Sequence, residues 1–348
     1  MAIIKGVGDF FGLDISPTAV RVMQLTPAGH DRWGLKHYGY APLDSKIAAS
    51  DSAEARNRLG EVITTVVGQS GIKTKNVAIG LSSHKTFVTV VDMPILSDAE
   101  LRGTIKYQID QYVPMSMDEV KVDWVTLGQS LHDPLQQEVL LASTAIEYSE
   151  DRLEFVEGLG FDVIAAEPDS IAVTRALLPR GVSDARVIVD IGETSTNVVM
   201  TCGDTPRLVR TIPNGLATLV RAAVQNLSIE EDQAHQFITK FGLAKDKLEG
   251  QVAHALQNTL DGFVSEVTKS TKFFQTRYPH ITIGGVIVSG YAGSIPKLDD
   301  YIGKATQLPV SAGNPWQYID IPAGSKKPTE LSAKFAVAIG LAQRGGRS

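Results

Sequence analysis

The sequence predicts an α/β protein of two like halves, and three observations carry the prediction. A three-strand meander opens the chain at DFFGLDI, AVRVMQL and WGLKHYGYAP, where apolar residues recur with period two. A second meander begins at Ala185, with ARVIVDIG, TNVVMTCG and TPRLVRTIP. Helical patterns follow each meander, and each half carries its own insert, so one plan is used twice.

Size and composition permit this. At 348 residues the chain exceeds one average domain, and 43% hydrophobic with 21% charged residues is ordinary for a folded protein. The net charge is −6 with both signs interleaved, so the basic stripe needed for binding nucleic acid is absent. The one cysteine, Cys202, offers neither an internal disulfide nor a metal cluster, which fits a reducing compartment and a cytoplasmic location. No apolar run reaches the ~18 residues of a membrane helix. The apolar stretch from Leu331 to Arg344, LSAKFAVAIGLAQR, is expected to pack in a core.

In the first half, turns at SPT and PAGHD join the strands. A helix is expected over Ser52 to Ser70, with Leu59, Val62, Ile63, Val66 and Val67 on one face and Gly71 as its stop. The strand NVAIGLS then returns. From Thr86 the order becomes strand, helix, strand, strand, helix, strand: FVTVVDMP, DAELRGTIKYQIDQYV, VKVDWVTLG, EVLLASTA, EYSEDRLEFVEGLG and DVIAAEP. Ser97 with Glu100 makes a capping box for the first of these helices, and Pro114 ends it. This βαββαβ order predicts a ferredoxin-like insert. In the second half, SIEEDQAHQFITKFG precedes a long helix ending near Arg277 that buries Leu260, Phe263, Val264, Val267, Thr271 and Phe274.

The chemistry is sought at the meander tips. LDISPTAVRVMQL and VDIGETSTNVVM each place an acid at a strand end, just before a turn rich in Gly, Ser and Thr. Backbone N–H groups and hydroxyls in such a turn converge on phosphate oxygens, and a neighbouring acid holds Mg²⁺ through its water shell. Either turn alone reads equally as an ordinary tight turn; their correspondence favours the ligand. In VSGYAGSIPKL, from Val288, a strand ends in a glycine turn that lets backbone approach a flat ring, although a plain strand-to-helix turn explains it as well. GVGDFFG leads into a strand and so does not present a helix to pyrophosphate, and GQSGIKT lacks the P-loop spacing. The seven histidines form no local ligand pair, and Cys202 shows no sign of activation.

These elements together resemble the actin-like ATPase superfamily, in which the ribonuclease H-like half is duplicated into two lobes. The insert FVTVVDMPILSDAELRGTIKYQIDQYVPMSMDEVKVDW, the run VLLASTAIEYSEDRLEFVEGLGFDVIAAEPDSIAVTRALL and the stretch IPNGLATLVRAAVQNLSIEE are similar to the PilM family of type IV pilus assembly proteins. The resemblance implies subdomain 1A over 1–84 and 166–184, a 1C insert over 85–165, subdomain 2A over 185–227 and 279–348, and subdomain 2B over 228–278. It also implies ATP with Mg²⁺ between the lobes, and the N-terminal peptide of a PilN-like membrane protein in a groove between 1A and 1C. Asp14, Ser16 and Thr18 would form the first phosphate loop. Asp190, Gly192, Glu193, Thr194, Ser195 and Thr196 would form the second, with Asp14 and Asp190 toward the metal and Gly290 and Gly293 bordering adenosine.

The chain departs from the family pattern where Pro17 removes a backbone donor, at Gln233, His235 and Ile238 on the helix edging the nucleotide, and at Tyr291 and Lys297 in the adenosine turn. Each departure weakens contact with nucleotide. Hydrolysis needs a group to position water; Glu167 is the candidate, and it reads alternatively as an acid starting the helix DSIAVTRALL. The implied role is a scaffold at the inner face of the membrane, at most a slow ATPase, joined to other platform and motor proteins. Sugar or acetate kinases and the cell-division scaffold FtsA share the fold and are the alternatives. A kinase would need larger inserts for its acceptor, and FtsA a basic aromatic helix after a linker.

Overall fold

Strands β1 (Phe11–Ser16), β2 (Ala19–Gly29) and β3 (Arg32–Pro42) form the expected antiparallel meander in a computed structural model that describes residues 8–29, 32–108, 111–116, 118–322 and 333–345. His30 and Asp31 of the second turn lie outside the described residues. A short helix, α1 (Ser45–Ala48), precedes α2 (Ala53–Ser70). Helix α2 begins and ends as its sequence dictates: the Ser52 hydroxyl accepts from the amide of Ala55 at 3.2 Å, and Gly71 takes the left-handed conformation, φ 79°, that a side chain would oppose. Strand β4 (Asn76–Leu81) then pairs parallel with β1.

The insert comprises β5 (Thr86–Pro94), α3 (Asp98–Gln108), β6 (Val120–Gln129) and β7 (Gln136–Ala145). Glu100 accepts from the Ser97 amide at 2.9 Å and from its hydroxyl at 2.6 Å, which realises the capping box. Ile109 and Asp110, in the expected last turn of α3, lie outside the described residues. The insert sheet has three strands, ordered β5-β7-β6, with its own core of Val91, Met93, Leu101, Ile105, Val139 and Leu141.

This corrects the ferredoxin-like expectation. Helix α4 (Ile146–Gly158) and strand β8 (Asp162–Pro168) do not complete the insert, because β8 pairs parallel with β4 in the main sheet. The reason is where their apolar faces fit. Val156, Leu153 and Phe155 of α4, with Val163 and Ala166 of β8, pack on the cluster of Phe11, Leu13, Val20, Val22, Ile63 and Val77. A bulge at Ile164, between Val163 opposite Val77 and Ala165 opposite Ala78, lets both Val163 and Ala166 reach that cluster. Helix α5 (Asp169–Leu177) follows.

The chain divides into two units, Met1–Ala176 with Pro315–Ser348, and Leu177–Asn314. In the second, β9 (Ala185–Ile191), β10 (Thr196–Cys202) and β11 (Thr205–Ile212) repeat the meander. They precede α6 (Leu216–Leu227), α7 (Glu231–Phe241) and the 27-residue α8 (Gln251–Arg277), which buries every residue of the predicted face. Strand β12 (Ile283–Gly290), α9 (Leu298–Thr306) and β13 (Val310–Ala312) complete this unit. Its sheet runs β11-β10-β9-β12-β13, third, second, first, fourth, fifth. Within the sheet of the first unit, β3-β2-β1-β4-β8 has the same order, with β14 (Ile319–Asp320) added parallel to β3. The duplication read from the sequence is therefore a duplication of topology.

The last described segment also departs from expectation. The resemblance implied that residues 279–348 belong with 185–227, but α10 (Ala336–Ala342) packs in the first unit. Leu331 and Ser332, where the closing helix was expected to begin, lie outside the described residues. Nearly every residue of α10 is buried, as core packing of this stretch requires, and it meets the sheet at glycines. A Cβ on Gly12 would lie 2.5 Å from the Ala338 carbonyl oxygen, and one on Gly340 only 1.9 Å from that of Ala172. Close backbone approach, which glycine alone permits, seats α10 against β1 and α5.

Candidate functional site

In the first unit the candidate elements are the β1–β2 tip and the end of β8. The two-residue turn Pro17-Thr18 sets the register, so Asp14 stands directly opposite Arg21 and Ser16 opposite Ala19. Arg21 Nη1 donates to Asp14 Oδ2 at 3.0 Å and to Ser16 Oγ at 3.1 Å, and Ser16 Oγ donates in turn to the Ala19 carbonyl at 3.0 Å. Burial raises the Asp14 pKa above its ordinary value, against the opposing charge and hydrogen bond of Arg21 and the charge of Arg152. The acid expected at the metal thus sits in a buried ion pair, and the Ser16 hydroxyl fastens its own hairpin. Thr18 is half-buried in the turn, and its carbonyl accepts from the Leu43 amide at 2.8 Å. Arg21 is a residue that the tip motif omits, although register arithmetic across a two-residue turn places it opposite Asp14.

Glu167 lies in β8, one residue before its end. Its carboxylate takes a two-pronged contact from Arg175 of α5, Nη1 to Oε1 at 2.5 Å and Nη2 to Oε2 at 2.9 Å, while Arg344 Nη1 reaches Oε2 at 2.7 Å. Arg175 also donates to the Gly340 carbonyl at 2.6 Å. Desolvation pushes this pKa up, but the charge and hydrogen bonds of Arg175 and the charge of Arg344 outweigh it and hold the carboxyl below its ordinary value. The observed partners of Glu167 tie β8, α5 and the segment after α10 together.

In the second unit the β9–β10 turn, β12 and the start of α6 converge. Gly192 N donates to the Ser195 carbonyl at 2.9 Å, closing the turn that includes Glu193 and Thr194. The amides of Leu216 and Ala217 donate to the carbonyls of Gly192 and Glu193, both at 3.0 Å, so the first turn of α6 is anchored on this loop. A Cβ on Gly215 would come within 2.5 Å of the Glu193 carbonyl oxygen, which explains glycine at the junction. The Thr196 hydroxyl, buried, donates to the Asn214 carbonyl at 2.7 Å.

Asp190, half-buried, is paired in register with Asn197 on β10 and with Ser289 on β12. One residue beyond Ser289, Gly290 has φ 64°, and a Cβ there would lie 2.2 Å from the Ile191 carbonyl and 3.0 Å from Asp190 Oδ1. The second glycine of this turn, Gly293, is unlike it, with open space where its Cβ would be. The structure therefore brings Asp190, the Gly192–Thr196 turn and Gly290 to one end of one sheet. On α7, Gln233 and His235 are exposed, whereas Ile238 is buried in the core of this unit.

A meander, a crossover and the strand order third-second-first-fourth-fifth, present in both units, define an actin-like ATPase fold. The family model described as type IV pilus assembly protein PilM matches residues 12–346. The chain belongs to that family. Among solved structures, it is 18% identical to a chain of a PilM-PilN type IV pilus biogenesis complex, with TM-score 0.82, covering 98% of this chain and 99% of that one. The ethanolamine utilization protein EutJ of Carboxydothermus hydrogenoformans is 12% identical with TM-score 0.54 over 97% of this chain and 90% of its own. MreB5 of Spiroplasma citri bound to AMPPNP is 11% identical with TM-score 0.55 over 95% and 94%. Among the described residues no helix is long and apolar enough to cross a membrane.

Proposed function

We propose that the chain is a scaffold of the pilus assembly platform at the cytoplasmic face of the inner membrane, where it receives the N-terminal peptide of a PilN-like membrane protein. The peptide lies in the groove between the six-stranded domain and the insert. The observation that carries this reading is the insert itself. It is a small sheet with its own core, and the Thr144 hydroxyl on the Lys85 carbonyl, 2.9 Å, fastens together the two chain segments by which it joins the main domain. Both outer strands, β5 and β6, are sheet edges, which receive an extended peptide through main-chain hydrogen bonds. The likeness to a chain from a PilM-PilN complex supports the choice of partner. Titration calorimetry with a PilN-like N-terminal peptide should give one-to-one binding, and hydrogen exchange should slow in β5 or β6. No heat and no co-elution on a sizing column would overturn the reading.

Nucleotide is assigned a subordinate part. The two hairpins fit Mg-ATP unequally. In the second unit Asp190, the Gly192–Thr196 turn and Gly290 suit a metal, phosphates and a flat ring in that order. In the first, Asp14 and Ser16 are held by Arg21, so the metal ligand proposed is Asp190 of the second unit. The bound nucleotide would supply a conformational signal, favouring whichever state binds it better, and no hydrolytic step is assigned to Glu167. A ligand of the folded state at ~100-fold excess over Kd stabilises by roughly 2.7 kcal/mol. Thermal melting should therefore rise with Mg-ATP in the wild type and stay flat in Asp190→Ala. An unchanged wild-type melt would remove nucleotide from the proposal and leave peptide binding untouched.

A further inference from the structure

Glu138 occupies the middle of the insert sheet with no exposed surface, and directly opposite it on β5 stands a second carboxylate, Asp92. Like charges facing each other across an antiparallel pair repel, and burial strengthens the repulsion. The loop between β6 and β7 folds back over this pair and brings His132, whose Nε2 lies 3.3 Å from Asp92 Oδ2 and whose Nδ1 lies 3.8 Å from Glu138 Oε1. One ligand atom from each of the three residues lies within 4.8 Å of the other two. We propose that Asp92, His132 and Glu138 form a binding site for a divalent transition-metal ion, with Zn²⁺ as the probe.

The hydrogen bonding around the cluster points the same way. Ser130 Oγ donates its single proton to Asp92 Oδ1 at 3.1 Å, and it lies 3.1 Å from His132 Nδ1. The two ring nitrogens thus face different groups, Nδ1 the Ser130 hydroxyl and Nε2 the Asp92 carboxylate. The 3.3 Å between His132 Nε2 and Asp92 Oδ2 sets a ring nitrogen and a carboxylate oxygen side by side, as two ligands of one ion stand. Ser130 also accepts the amides of His132 and Asp133, at 3.4 and 3.3 Å, which shapes the loop that carries the histidine. Ser130 therefore orients the carboxylate and the imidazole together, as an outer-shell partner does around a metal.

The donor set of one imidazole nitrogen and two carboxylate oxygens is that of an open zinc site, with bond lengths of ~2.0–2.2 Å and a fourth position for water. As metal ligands the two carboxylates supply a charge of −2, which a divalent ion cancels. The three ligands come from β5, the β6–β7 loop and β7, so an ion held by them would pin the loop onto β5. The side chains of Leu131 and Leu135 on that loop and Ile95 just after β5 are exposed, so the ion fixes the rim on which they stand.

The test uses the full chain stripped of metal with a chelator and titrated with ZnCl₂ by calorimetry and thermal melting. One equivalent should bind and raise the melting temperature. His132→Ala and Asp92→Asn should each weaken binding at least tenfold, while His84→Ala, which removes an exposed histidine elsewhere, should leave it unchanged. Because the variants could fold poorly, nitrogen NMR of His132 in the wild type gives an independent reading: Nε2 should shift on addition of Zn²⁺. No Zn²⁺ heat, equal affinity in His132→Ala, or an imidazolium with both nitrogens protonated before and after Zn²⁺ would overturn the proposal, the last by making a proton the bridging cation.

Discussion

Arg344 reaches back across 177 positions of sequence to donate to Glu167 at 2.7 Å, on the same oxygen that Arg175 holds at 2.9 Å. Desolvation pushes both buried carboxyls up; at Glu167 the charge and hydrogen bonds of Arg175 and the charge of Arg344 outweigh it, whereas at Asp14 the opposing Arg21 and Arg152 do not, and its pKa stays raised.

Removing one partner of a buried pair strands the other in a medium of low polarity, at a cost of about 3–5 kcal/mol. Glu167→Ala should destabilise the first unit by that order, because Arg175 and Arg344 lose their shared acceptor. Arg344→Ala should cost less, since Arg175 still holds both oxygens. Urea denaturation of the three proteins, read by the midpoint at constant slope, measures the ranking.

Acid should expose the same contact. Since the folded-state pKa of Glu167 lies below the ordinary 4.5, its contribution is present above that value and fades as pH falls through the folded value. Asp14 runs oppositely: its folded-state pKa lies above 3.8, so its contribution is present below 3.8 and is lost as pH rises through the folded value. The stability gap between wild type and Glu167→Gln should therefore narrow on acidification below about pH 4.5. The gap to Asp14→Asn should shift in favour of the variant as pH rises. Denaturation curves taken from pH 3 upward, on the order of one pH unit apart, distinguish the two slopes.

Gly340→Ala is expected to be far more damaging than a helix propensity scale suggests. Alanine is the better helix former, yet its methyl would overlap the Ala172 carbonyl, 1.9 Å from the position of the new Cβ. Overpacking of this kind costs about 1–3 kcal/mol or more. A melting temperature equal to that of the wild type would show that α10 can move away from α5 freely.

Ser52→Ala removes the hydroxyl that accepts from Ala55 at the start of α2. The expected loss is about 1 kcal/mol. Ser52→Asp should recover most of it, because an aspartate caps equally well and its charge suits a helix N-terminus. Equal stability in all three proteins would count against the cap.

The period-two runs exposed both meanders because each strand has one buried face, and they placed β1–β3 and β9–β11 correctly. Capping and stop residues fixed α2 for the same local reason. What local pattern cannot express is which sheet a strand joins. DVIAAEP reads equally as the last strand of an insert or as the fifth of a larger sheet; the choice lay with α4, whose apolar side matches the cluster around Phe11 and Ile63. The tip acids were legible as tip acids, but Arg21 was passed over because its role depends on what stands across the hairpin. Asp92, His132 and Glu138 come from a strand, a loop and another strand, so no spacing in the sequence unites them.

The seat of α10 on β1 bears on the order in which the chain matures. Residues 177–314 are contiguous and can close as soon as they leave the ribosome, since domains generally fold as units during synthesis. The first unit is made earlier but finishes later: β1, with Gly12 bared for its missing neighbour, must wait for Ala338 to arrive. During that interval an apolar sheet face is uncovered in the nascent protein, and it is there, rather than in the second half, that a chaperone would find its hold.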